Sequence, residues 1–388
     1  MADQLRVAPP VVAGGGAHMA SLNAAGFIDP PSTHSHLLTT KLGGLSARHP
    51  TLVSAGYDKT IKFWHVATGQ VIHNINQESQ INCLALSSTA EHLATAGFQK
   101  IRLYNIEHGI PPATDYEGST KNVTAVGFEA DTKWMYSGGE DNTARIWDLR
   151  ARQLSCQRIF QVNTPVNTVC LHPNQVELFV GDASGTLYSW DLRNNANEQT
   201  GLEAPGTPIS IQHLAIDQDG TKLAAVTNKG MCYCWSLVGS STILSQPSVL
   251  PTASTCEDTV AESREQVRST KFVPKTKFKV HNKYALKCAF SPDSTLLATT
   301  SADNTCRLWT TADLSEMTVL KRTADMKEPM RWVWDCAFTN DSQRIFTCSS
   351  DGLVRLWDVE DGRVLRTYHG HKGVVTALAL RDLTVLDE

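Results

Sequence analysis

The chain has 388 residues, of which 41% are hydrophobic, 19% charged and 7% aromatic, enough apolar material to exclude wholesale disorder. With 35 basic against 39 acidic residues the net charge of −4 leaves no strong basic field, which argues against nucleic acid as the principal ligand. No apolar run approaches the ~18–20 residues that span a bilayer. The N-terminal MADQLRVAPPVVAGGGAHMA carries one Arg and a broken apolar run, a poor signal peptide. A soluble intracellular protein without membrane insertion is expected, and its ten cysteines then read as thiols.

Residues 1–40 are rich in Ala, Gly, Pro and His without periodicity and read as a disordered tail. Residues 41–388 are organised by a repeat. Short strand-like runs end at Trp64, Tyr104, Trp147, Trp190, Trp235, Trp309 and Trp357, with steps of 40, 43, 43, 45, 74 and 48 residues. Apart from the long step, this is the period of a four-stranded propeller blade. Unit one opens at TLVSAGYDKTIKFW, with no innermost strand before it. Unit three reads TAVGF, WMYSGGEDNT, ARIWDLR; unit six reads YALKCAF, SPDS, LLATTS, ADNT, CRLW; unit seven reads DCAF, NDSQ, RIFTCSSDGL, VRLWDV. Alternating apolar runs between Asp/Asn/Gly/Ser turns are antiparallel strands joined by tight loops. The 74-residue step holds a Ser/Thr/Pro-rich insertion at about 238–270, expected between blades five and six. After unit seven an orphan run, VVTALAL (374–380), has the pattern of an innermost strand. The expected architecture is all-β: a seven-bladed WD-repeat β-propeller whose C-terminal strand completes the first blade and so removes an aggregation-prone edge.

Polar residues recur with the repeat. Asp58, Asp141, Asp303 and Asp351 each stand six residues before the Trp, and His281 and His371 begin innermost strands. His371, Asp58, Ser54 and Trp64 are expected to form one hydrogen-bond chain, and His281, Asp303, Thr299 and Trp309 another. The same residue types make a hydrolase triad, but their recurrence assigns them to turn stabilisation. In units two, four and five Gln99, Ser184 and Lys229 replace the Asp, and packing alone is expected to hold those turns. Cys232 and Cys234 have no second pair at zinc spacing, and no phosphate-cradle, dinucleotide or metalloprotease motif occurs. The expectation is a non-enzyme with no catalytic residue, cofactor, metal or small-molecule substrate.

A propeller offers a face. The loops leading into the innermost strands place Gln80, Asn122, Pro165, Ser210, Tyr284, Trp332 and Val374 on one rim. The turns between second and third strands place Tyr57, Phe98, Glu140, Ala183, Asn228, Ala302 and Ser350 on the same rim. The aromatics fall on contiguous blades: Tyr284 on six, Trp332 and Trp334 on seven, Tyr57 on one, Phe98 on two. Blades three to five present small or polar residues. An exposed aromatic sector rimmed by polar groups is a protein-binding patch; the alternative for Trp332 and Trp334 is packing between blades.

GGEDNTARIWDLR (138–150), CQRIFQVN (156–163), CLHPNQ (170–175), PKTK (274–277), FSPDSTLLATTSAD (290–303) and RWVWDCAF (331–338) go beyond generic repeat grammar. Through them the chain, over roughly residues 50–380, resembles the G-protein-β-like WD-repeat subunit of the target of rapamycin kinase complexes. The resemblance implies a non-catalytic scaffold that sits on the C-lobe of the kinase domain and supports its active conformation in both complexes, in nutrient and growth signalling. It implies partnership with the kinase catalytic domain and, through it, the complex-specific subunits. It also implies a cytoplasmic location, with recruitment to endomembrane or lysosomal surfaces through the complex. The family's kinase-contacting positions match Gln80, Asn82, Trp332 and Trp334 here. The 1–40 tail and the 238–270 insertion depart from the family pattern. A second reading comes from Trp147-Asp148-Leu149-Arg150 and Trp190-Asp191-Leu192-Arg193, two W-D-x-R boxes of the kind that dock substrate receptors on cullin ubiquitin ligases. A G-protein β subunit proper is disfavoured because no N-terminal heptads are present.

Overall fold

A computed structural model of the chain describes residues 51–106, 113–150, 156–204, 207–238, 270–324, 326 and 328–381. The expected tail and residues 239–269 of the insertion lie outside them. Among the described residues the regular structure is entirely β, in antiparallel sheets. Blade one runs, from the axis outward, Val375–Arg381, Thr51–Gly56, Thr60–His65, Val71–Asn76. Blade four is Val166–Leu171, Glu177–Asp182, Thr186–Asp191, Asn197–Gly201, and blade five is Ile211–Ile216, Lys222–Thr227, Met231–Val238, Lys271–Lys279. Blade six is Ala285–Phe290, Leu296–Ser301, Cys306–Thr310, Glu316–Leu320, and blade seven is Val333–Phe338, Arg344–Ser349, Leu353–Asp358, Val364–His369.

Blades two and three share one seven-stranded sheet: Cys83–Leu86, His92–Ala96, Phe98–Asn105, Thr114–Phe128, Trp134–Gly139, Thr143–Asp148, Cys156–Gln161. Its long strand changes partner midway. Thr114–Glu117 pairs outward of Lys100–Leu103, and Val123–Phe128 pairs with Met135–Gly139 as an innermost strand. Gly118 sits at the change of partner with φ 133°, a backbone conformation that side chains oppose.

The sheets pack face to face, and seven apolar clusters each join two consecutive blades. Leu296, Leu308, Val333 and Trp357 lie between blades six and seven, and Phe346, Val354, Leu52 and Trp64 between blades seven and one. The clusters at the other five junctions complete a ring. This stacking explains why second strands such as Thr51–Gly56 and Leu296–Ser301 are buried along their whole length, while the outermost Asn197–Gly201 is exposed throughout.

The seam lies in blade one. Val375–Arg381 pairs with Thr51–Gly56 from Thr51↔Arg381 to Ala55↔Ala377 and bulges at Gly56, where a Cβ would collide with the Val374 carbonyl. A buried ion pair reinforces it. Asp335 of blade seven accepts from Lys287 Nζ of blade six at 2.5 Å and from the Leu378 amide of the closing strand at 2.9 Å. Burial works against the Lys287 ammonium, but the Asp335 carboxylate outweighs it and raises the lysine's pKa.

The insertion is placed differently from the sequence reading. Its two ends, Val238 and Lys271, are paired with each other, so the segment links the third and fourth strands of blade five rather than blades five and six. Strand Lys271–Lys279 pairs with Met231–Val238 from end to end, and counting from Trp to Trp could not reveal on which side of it the extra residues fall. Thr270 is then held by the neighbouring blade, its amide donating to Glu177 Oε1 at 2.8 Å.

Two outcomes follow. A chain ending at Gly370 loses the closing strand and the Leu378–Asp335 bond; it aggregates or loses cooperative melting, as size exclusion and calorimetry will report. Because the insertion bridges two paired ends, replacing 240–268 with a short Gly/Ser turn leaves unfolding stability within about 1 kcal/mol by urea titration.

Candidate functional site

The turn between second and third strands shares one backbone feature in every blade. The residue five before the Trp or Tyr is left-handed throughout: Lys59, Gln99, Asn142, Gly185, Gly230, Asn304 and Gly352 have φ of 62°, 62°, 64°, 81°, 71°, 70° and 80°. Gly and Asn supply most of these because they tolerate that conformation best. Gln99 is therefore the counterpart of Lys59, not of Asp58, and blade two has no residue in the Asp role.

Two buried chains tie these turns down. Trp64 Nε1 donates to Ser54 Oγ at 2.7 Å, Ser54 Oγ meets His371 Nε2 at 2.7 Å, and His371 Nδ1 meets Asp58 Oδ2 at 2.9 Å. In blade six Trp309 Nε1 donates to Thr299 Oγ1 at 3.0 Å, Thr299 meets His281 Nε2 at 2.9 Å, and His281 Nδ1 meets Asp303 Oδ2 at 3.0 Å. Burial pushes the Asp58 and Asp303 carboxyls up, but the hydrogen bonds and charge of their histidines, with help from Thr60, Thr305 and backbone amides, hold both well below the usual carboxylate range. Each histidine has both ring nitrogens engaged, and the hydroxyl it meets carries an indole, so neither chain presents a nucleophile to solvent.

Blades three and seven do the same work with arginine, which the sequence reading missed. Arg145 pairs with Asp141 at 3.0 Å and Arg355 with Asp351 at 2.7 Å, all four side chains nearly buried. Trp147 and Trp357 donate to Ser137 and Thr347 at 2.9 and 2.8 Å. Blade four was expected to rely on packing, yet a carboxylate stands two residues earlier: Asp182 accepts from Thr164 Oγ1, the Thr186 amide and both the amide and hydroxyl of Ser184. The signal was present at the end of the second strand, FVGD, but lay off the counted offset.

The two sets of rim residues are joined by backbone bonds. The amides of Tyr57, Glu140, Ala183, Asn228, Ala302 and Ser350 donate to the carbonyls of Val374, Asn122, Pro165, Ser210, Tyr284 and Trp332, at 2.9–3.1 Å. Blade two departs: its turn is one residue shorter, and the Gln80 carbonyl lies over Gly97, where a Cβ would come within 2.9 Å of it.

On this rim Phe98, Tyr284, Trp332 and Tyr57 are 55%, 52%, 42% and 39% exposed. Tyr57, Trp334 and Trp332 form a continuous ladder, with Tyr57 edge-on to Trp334 and Trp334 tilted against Trp332, ring centroids 6.0 Å apart at both steps. Trp334 is half-buried, packs on the core between blades seven and one, and donates Nε1 to Ser350 Oγ at 2.7 Å. It is thus the platform that fixes its two exposed neighbours. Tyr284 and Phe98 flank the ladder on blades six and two. Gln80 is exposed, whereas Asn82 is half-buried and donates Nδ2 to the Val123 carbonyl at 3.1 Å, tying blade two to blade three. The W-D-x-R arginines close on their own aspartates in bidentate pairs, Arg150 on Asp148 at 3.1 and 3.0 Å and Arg193 on Asp191 at 3.0 and 2.8 Å.

Repeated blades, Trp–hydroxyl chains and a structured rim with exposed aromatic rings define a WD-repeat propeller. The chain matches the WD domain, G-beta repeat family over residues 32–65, 110–148, 154–191, 272–310 and 323–358, the units that end at Trp64, Trp147, Trp190, Trp309 and Trp357. It is 48% identical over 349 residues to the target of rapamycin complex subunit LST8 of Bos taurus, covering 89% of this chain and 99% of that protein. It is 42% identical over 334 residues to the LST8 homolog of Drosophila melanogaster (85% and 96% covered), and 38% over 264 residues to the Saccharomyces cerevisiae subunit LST8 (68% and 77%). The chain belongs to the LST8 family.

Ser54→Ala strands the Trp64 indole and one His371 nitrogen in the core and costs about 1–3 kcal/mol, measured by urea unfolding. The two depressed aspartates set an acid limit. Their stabilisation is complete above the unfolded value of about 4 and is lost as pH falls below it towards the lower folded values. The double variant Asp58→Asn/Asp303→Asn is less stable at neutral pH, but its melting temperature falls less than wild type between about pH 5 and pH 3.

Proposed function

We propose that the protein is a non-catalytic subunit of target of rapamycin kinase complexes. On this reading it binds the kinase catalytic domain through the rim sector on blades six, seven, one and two. The exposed ladder Tyr57–Trp334–Trp332 carries this reading. Large rings already immobilised by packing lose little conformational freedom on binding, the property that makes aromatic anchors dominate interface energetics. The relatives' naming as target of rapamycin complex subunits supports the choice of partner. The protein brings no chemistry of its own; a rigid ring bound to the catalytic domain favours whichever kinase conformation it contacts best, here the active one. It works in the cytoplasm and reaches endomembrane or lysosomal surfaces with the complex.

Trp332→Ala removes an exposed anchor without touching the core and lowers affinity for the purified kinase catalytic region roughly 30-fold, about 2 kcal/mol. Gln80→Glu weakens it as well. Asn122→Ala, on blade three just outside that sector, and the pair Arg150→Ala/Arg193→Ala, whose arginines serve their own aspartates, leave binding at the wild-type level. Pull-down with circular dichroism as the folding control reads this out. Undiminished capture by folded Trp332→Ala and Gln80→Glu proteins shows that the wrong face was chosen.

A further inference from the structure

The aromatic sector is also the cationic sector of the rim. Lys283 precedes Tyr284, Arg331 precedes Trp332, Lys59 lies two residues after Tyr57, and Lys321 and Arg322 open the loop that ends at Trp332. Lys372 is the sixth: its amide donates to Asp58 at 3.0 Å, which sets it beside the Tyr57 turn. All six side chains are exposed, and among the described residues none is in an ion pair; Arg322 only reaches the Met326 carbonyl at 3.4 Å. The carboxylates on the same loops are mostly spoken for. Asp58 and Asp303 are held by His371 and His281, Asp351 by Arg355, and Glu328 is half-buried. Across the ring, blades three to five expose Lys121 and Lys229 with Glu140 on the same rim, while Glu203 is paired with Lys277, so among the described residues the unpaired cations there are fewer and one carboxylate stands among them. A chain of net charge −4 thus concentrates unneutralised positive charge on the one part of its rim that exposes large apolar rings.

We propose that this sector recognises an acidic protein segment, one that seats apolar side chains on the Tyr57–Trp334–Trp332 ladder while its carboxylates face Lys59, Lys283, Arg331 and Lys372. The inference rests on the kinase-binding reading above and adds the chemistry of the partner's contact surface. Exposed charges of this kind act mainly on the rate of encounter, and salt screens them; the buried rings act on residence time.

The test is association kinetics between the full-length protein and the purified kinase catalytic region, at roughly 50 and 500 mM NaCl. The association rate constant of the wild type is expected to fall about tenfold over that range. Lys283→Glu/Arg331→Glu/Lys372→Glu is expected to associate at least about tenfold more slowly at low salt, to dissociate at a nearly unchanged rate, and to lose the salt dependence. Lys121→Glu/Lys229→Glu is expected to behave as wild type. If Trp332→Ala weakens binding but the triple reversal and added salt leave association unchanged, the acidic partner surface is refuted and the binding face stands. If Trp332→Ala and the triple reversal both bind as wild type, the face itself is refuted. A single Arg331→Glu variant, with circular dichroism and melting as controls, separates charge from any disturbance of the fold.

Discussion

The pairing of Val375–Arg381 with Thr51–Gly56 is the constraint on which the rest of this molecule depends. Each blade buries its faces against the next, so a ring with one blade lacking its innermost strand leaves an open edge and uncovers the clusters on both sides. The chain ends meet there, and the seam is stitched several times over. Thr376 Oγ1 donates to the Ile81 carbonyl of blade two at 2.6 Å, Leu378 donates to Asp335, and His371 joins Ser54, Asp58 and Trp64 across more than three hundred residues. The aromatic ladder crosses the same seam, since Tyr57 belongs to blade one and Trp334 to blade seven. Closure and the aromatic ladder are one structure.

The buried polar chains share a logic despite their different members. A Trp indole needs an acceptor once it is removed from water, and a Ser or Thr hydroxyl on the second strand provides it. The turn that follows needs its left-handed residue held, and an Asp accepting from the turn amides does that. What varies is the cation that joins or neutralises the Asp: a histidine reaching in from the innermost-strand loop in blades one and six, an arginine on the third strand in blades three and seven. The histidine version ties the turn to the loop that enters the innermost strand of the same blade, whereas the arginine version stays within its own hairpin. Blades one and six, which flank blade seven and its two tryptophans, carry the tying version.

This also explains how the rim can expose apolar rings without yielding. The repeated backbone bonds between turn and loop hold the peptide groups of Tyr57, Tyr284 and Trp332, and half-buried Trp334 is the platform on which Tyr57 and Trp332 rest. The ordering of this surface is completed during folding, which lowers the entropic cost of any contact made on it.

The repeat, the blade boundaries at Trp, the closing strand and the two histidine chains were legible in the sequence because each depends on short-range spacing that recurs. Trp64, Ser54 and Asp58 announce themselves by offsets that Trp309, Thr299 and Asp303 repeat. Exposed aromatics on blades six, seven, one and two were legible for the same reason, once the loops were assigned to one rim. Other features required the fold. The insertion's position within blade five depends on which strand Lys271–Lys279 chose to pair with, and a period cannot register that. Asp182 acts from a position off the shared offset, and Arg145 and Arg355 share theirs, two residues before the Trp or Tyr, with Arg102 and Arg307, which pair elsewhere, so that only three-dimensional proximity defines their role. The Lys287–Asp335–Leu378 junction joins three blades through side chains that strand patterning marks merely as polar. Local spacing fixes hairpins because their partners are adjacent along the chain; contacts between blades fall near one repeat apart, as Asn82–Val123 and Lys287–Asp335 do, but which side chains reach across each junction is decided by tertiary packing alone.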